Sequence, residues 1–153
     1  MRRITIAVLI LVVAVALIVG LKPMTAARTK DDYAHKAKDT AESALSSVQT
    51  ARLAAQVGSR GDAFGPYVSV LLSESETAVT KAQGSFDRVQ PPDAWSDRTR
   101  AHLGRILNRA NDAVSQLRIT ARRSELGRLA REARPLKNIA RELRVFIQDP
   151  GPK

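Results

Sequence analysis

His35 lies in the stretch DDYAHKAKD, four residues from Asp31 and four from Asp39. On a helix this spacing stacks one imidazole between two carboxylates on a single face, a donor set able to clasp a divalent ion. It is also the ordinary i,i+4 charge pattern of a solvated face. The second histidine, His102, has no acidic residue at 98 or 106 and no nucleophile near it. The plainer reading is therefore adopted, and no metal ligand is assigned. Glu74 and Glu76 are two residues apart and face different ways on a helix, so they form no acid–base pair. The chain contains no HExxH, no GxSxG, no phosphate-binding glycine loop and no calcium-binding loop. It has no cysteine, which removes disulfides and thiolate chemistry together. No catalytic residue and no cofactor is expected, and the chain reads as non-enzymatic.

The sharpest chemical feature is positive charge. Residues 98–147 carry thirteen basic and four acidic side chains, whereas residues 31–97 carry six basic and ten acidic ones. Arg128, Arg131, Arg134, Lys137, Arg141 and Arg144 recur at helical spacing, and the last four step by 3, 4 and 3 along one stripe. Such a stripe can bind an anionic surface, either phospholipid headgroups or a cell-wall polymer. It can equally be a solvated face that pairs with the acidic first half through Asp31, Asp32, Asp39, Glu42, Glu74 and Glu76. Nucleic acid is the less favoured partner, because no aromatic side chains interleave the arginines to stack bases.

The elements that position these groups are helical. Aromatic residues are confined to Tyr33, Phe64, Tyr67, Phe86, Trp95 and Phe146, while alanine, leucine and arginine dominate a helix-forming composition. Ala34, Ala37, Ala41, Ala44, Val48, Ala51 and Ala55 follow a heptad, widened by Leu45 and Leu53, and predict a helix over 26–57 that ends at Gly58. A second seam, Val68, Leu72, Ser75, Val79, Ala82, Phe86 and Val89, thickened by Leu71 and Ala78, predicts a helix over 66–89, opened by Pro66. Gln90-Pro91-Pro92-Asp93 stops it, and Asp93 or Ser96 can cap the next helix. The third helix is expected over 94–122 with Leu103, Ile106, Leu107, Ala110, Val114, Leu117 and Ala121 inward. A fourth seam, Leu126, Leu129, Ala133, Leu136, Ala140, Leu143 and Ile147, is out of phase with the third. It implies a break near 122–125 and a helix over 125–148, kinked or split at Pro135. Residues 150–153 read as a disordered tail. The expected fold is all-α: an antiparallel four-helix bundle, coiled-coil-like in its seams, over residues 25–149. The variant with one long helix over 94–134 and a short one after Pro135 is kept beside it.

In front of the bundle, residues 1–24 form the expected membrane anchor. Ile4 to Leu21 is an eighteen-residue run without charge, carrying Ile4, Leu9, Val13, Leu17 and Leu21. As a helix it would span roughly 27 Å, close to a bilayer's apolar core of about 30 Å. It is apolar on every face, and a chain of this size builds no core that would enclose it. It reads as an uncleaved signal-anchor; a signal peptide removed after export is the competing reading, and would make the protein secreted. Lys and Arg flank the run on both sides in nearly balanced number, yet the short basic start favours a single-pass protein with its bulk outside the cytoplasm.

An anchored, wholly helical exterior is similar in architecture to extracytoplasmic four-helix sensor domains. Those continue into a second membrane helix and a signalling module, neither of which follows here. The expected function is a scaffold or interaction module at the cell envelope, with the membrane, anionic surfaces, another envelope protein or a second copy as partners. The alternative is a sensory-type bundle that binds a small ligand and works with a separate signalling partner. That alternative needs a polar or aromatic pocket between helices.

Overall fold

A computed structural model describes residues 29–151. The anchor expected over residues 1–24, with Ile4, Leu9, Val13, Leu17 and Leu21, lies outside them. Among the described residues no helix is long and apolar enough to cross a membrane. The described residues are all-α: α1 Lys30–Arg60, α2 Gly65–Asp87, α3 Ala94–Arg122, a 3-10 turn Leu126–Arg128, a single turn α4 Leu129–Glu132, and α5 Arg134–Gln148.

α1 begins later than its heptad implies, because Thr29 and Asp32 form a capping box. The Asp32 N–H donates to Thr29 Oγ1 at 3.2 Å, and the Thr29 N–H donates back to the Asp32 carboxylate at 3.3 Å. α1 also ends later. Gly58 does not stop it but sits buried in its last turn, where a Cβ would meet the Val68 side chain at 3.0 Å and Leu129 Cδ1 at 3.3 Å. The missing side chain lets α1, α2 and the α4 turn close together. The helix stops at Gly61, whose φ of 77° is the left-handed conformation glycine adopts at little cost.

Ala37, Ala41, Ala44, Val48, Ala51 and Ala55 are all fully buried. Small side chains let helix axes approach, so α1 packs not only on its neighbours α2 and α5 but also across the bundle on α3. α3 engages α5 less closely, and a groove is left between them. Two residues expected to widen the seams do not. Leu53 is 60% exposed, because it sits two residues from both Ala51 and Ala55 and so points away from their face. Ala78 is exposed at the edge of α2.

The expected fourth helix is split. No Gly or Pro marks the first break; Ser124 takes φ 60°, and the Ser124 and Glu125 N–H groups cap the end of α3 on Ala121 O and Thr120 O. Pro135 then occupies the first turn of α5, where its missing N–H leaves no helical bond unmade. The single long helix over 94–134 is thereby excluded. In α5, Ile139 and Phe146 join Leu136, Ala140 and Leu143 in the core. Among the described residues the buried apolar side chains run from Tyr33 to Phe146 and form one core.

Candidate functional site

The six cations of the basic stripe are placed by the break and by Pro135. With Leu136, Ile139, Ala140, Leu143 and Phe146 held inside, positions 134, 137, 141 and 144 fall on the outer side of α5. Arg128, Arg131, Arg134, Lys137, Arg141 and Arg144 are all exposed. Arg128 bonds to Glu125 and lies 3.1 Å from Glu132, so its charge is matched locally. The other five form no ion pair among the described residues. Arg52 of α1 joins Arg134 and Lys137 around a shallow hollow with Gln56, Ala130 and Ala133, which extends the positive face across the α1–α5 seam.

Glu76 and Asp87 of the acidic first half pair with arginines of α3. Arg118 holds Glu76 between α3 and α2. The Arg118 guanidinium keeps the Glu76 carboxyl below its usual range, against the opposing effect of burial. Arg100 donates to Asp87 O at 2.7 Å and lies 4.0 Å from its carboxylate. Pairing of the basic half with the acidic half therefore reaches Arg100 and Arg118 of α3, while Arg98, Arg105 and Arg122 of that helix form no ion pair among the described residues. Beside these ion pairs, Thr80 donates to Asn111 Oδ1 at 3.0 Å and Gln83 to Asn108 Oδ1 at 2.6 Å, which pins the α2–α3 register.

His35 is exposed and shares a hollow with Asp31, Lys38 and Gln148. Among the described residues no three His, Cys, Asp or Glu side chains are grouped to hold a metal ion. Glu74 points to solvent, whereas Glu76 turns toward Arg118. Of the expected tail, Gly151 is held: its carbonyl lies 3.1 Å from His102 Nδ1, and the His102 ring meets Phe146 edge-on.

The α3–α5 groove was not visible in the sequence. One stretch of about 550 Å³ is lined by His102, Arg105, Ile106 and Asn108, and the next, of about 480 Å³, by Asp112, Ala113, Pro135, Asn138 and Ile139. A two-bonded ion pair, Arg109 to Glu142, lies where they meet and lines both. Its partners are 33 residues apart, so no local charge pattern announces it.

No protein-family model, no curated protein and no solved structure matches this chain.

Proposed function

We propose that the protein is a non-enzymatic, single-pass scaffold or interaction module of the cell envelope, anchored through Ile4–Leu21, with an antiparallel four-helix bundle outside the cytoplasm. The bundle contacts an anionic surface through the outer side of α4 and α5. One observation carries this reading: Arg131, Arg134, Lys137, Arg141 and Arg144 are exposed with no ion pair among the described residues, which concentrates positive charge along one side of α4 and α5. Unmatched like charges on one face repel one another, and a surface of opposite sign relieves that repulsion.

The test uses the fragment 29–153, which keeps the whole of the described core. It is expected to bind vesicles rich in phosphatidylglycerol, or the polyanion dextran sulfate, at low salt, and to release both at about 0.5 M salt as charges are screened. Reversing Arg134, Lys137, Arg141 and Arg144 to Glu should abolish binding to both. Equal binding to neutral and anionic partners, or unchanged binding by the reversed variant, sinks the proposal.

The sensory alternative draws support from the α3–α5 groove, whose walls carry His102, Arg105, Arg109 and Glu142. An anionic ligand there would have to displace Glu142 from Arg109, and Glu142→Gln should strengthen its binding.

A further inference from the structure

We infer that the anionic surface is a lipid bilayer, and that one end of the bundle enters its interface with Phe64, Tyr67 and Val70. This rests on the basic-face reading and names its partner. The end in question is built from the α1–α2 loop, the start of α2, the end of α3 and the α4 turn. Their proximity is direct: Gly58 packs on Val68 and Leu129, and Gly65 and Pro66 share a hollow with Arg122 and Leu126.

Phe64 is 78% exposed, Tyr67 59% and Val70 52%. They recur every three residues along the outer side of the first turns of α2. Folding does not account for them. Phe64 occupies the N-cap of α2, where Ser, Thr, Asp or Asn would bond the free N–H groups; it makes no such bond, and the first turn has no acidic residue. A large aromatic side chain at that position gives up a cap and gains no burial in return.

Charge argues for lipid over the other occupants. Arg60, Arg122, Arg123 and Arg131 surround this end, all exposed and without an ion pair among the described residues. Glu125 and Glu132 are both engaged by Arg128, which leaves Asp62 as the carboxylate there with no arginine on it. Two such ends would repel, so a second copy meeting tip to tip is disfavoured. A soluble polyanion would use the arginines but has no apolar interior for the rings. Aromatic side chains among arginines are what the headgroup region of an anionic bilayer accommodates, rings at the acyl boundary and guanidinium groups among the phosphates.

The decisive experiment compares wild-type 29–153 with the Phe64→Ser/Tyr67→Ser variant on phosphatidylglycerol–phosphatidylcholine vesicles and on dextran sulfate. Both residues are exposed, so circular dichroism and Tm should be preserved, and Ser at position 64 can supply the missing cap. Removing two rings should weaken vesicle binding about tenfold or more and leave dextran sulfate binding within about twofold. In parallel, Tyr67→Trp should be quenched by brominated acyl chains more than the wild type, whose Trp95 lies at the opposite end. Undiminished vesicle binding by the double variant, with no added quenching at position 67, overturns bilayer insertion and leaves the basic face standing. Binding to dextran sulfate but not to vesicles also overturns it, in favour of a polymer. Failure of the wild type to bind either probe removes the basic-face reading, and this inference with it.

Discussion

Tyr33 is fully buried against Phe86, ring centroids 5.4 Å apart, and its hydroxyl has no hydrogen-bond partner among the described residues. Ser96 Oγ and Thr99 Oγ1 share that condition. A buried hydroxyl without a partner costs about 1–3 kcal/mol. Tyr33→Phe should therefore raise stability at neutral pH by about 1 kcal/mol in denaturant unfolding. A loss of similar size would mean the hydroxyl is satisfied after all. Burial pushes the Tyr33 phenol up to about 12, with Asp97 and Asp87 adding to the shift and Arg100 opposing it. The unfolded phenol ionises near 10, so the folded state holds a proton the unfolded state releases. Stability contributed by Tyr33 is thus complete below about pH 10 and lost as pH rises toward 12, and the Phe variant should not show that alkaline loss. At this scale the sequence was a partial guide. Ser75 could be read as inward from its seam, but Thr40, Ser96, Thr99 and Thr120 are buried as well. Thr40 donates to the carbonyl one helical turn back, Lys36 O, whereas Thr120 donates to Glu132, twelve residues on, a partner that periodicity does not announce.

Among the elements, α3 was the most legible: a strongly apolar seam between a two-proline stop and a phase change leaves little freedom, and its expected and observed spans coincide. α1 was legible in its face and not in its ends. Its start depends on a side-chain capping box, and Gly58 acts as a packing residue rather than a stop. The α3–α4 break was announced only by the phase shift of the seams. Its conformation was not, since Ser124 adopts φ 60° where a glycine would be expected. Ser124→Gly should relieve about 1 kcal/mol of left-handed strain and raise Tm by a few degrees, measured by thermal unfolding. No change would show that the serine side chain offsets the strain.

For the whole molecule, the bundle follows from four amphipathic segments, but its unequal spacing does not. The alanine face of α1 draws α3 inward and opens the α3–α5 groove. Which cations stay unmatched is likewise a property of the assembled helices: Arg109 and Arg118 look like Arg134 and Arg141 in sequence, yet only the first two meet carboxylates. A C-terminal tag on the full chain should be digested by protease added to intact cells, with the protein full-length in the membrane fraction. A tag protected until lysis would place the arginines in the cytoplasm and make the inner leaflet their target.

α1 runs 31 residues from the capping box to Gly61 without a proline. At 1.5 Å per residue it is a strut of roughly 46 Å. The chain leaves toward its N-terminus at one end, and Phe64 projects at the other. Whatever grips residue 29 and whatever meets Phe64 are therefore held at a set separation. The alanine heptads make that separation adjustable in units: removing one matched heptad from each long helix would keep every seam in phase and draw the two attachment points together by about 10 Å. The length of α1 thus works as a ruler between those two points.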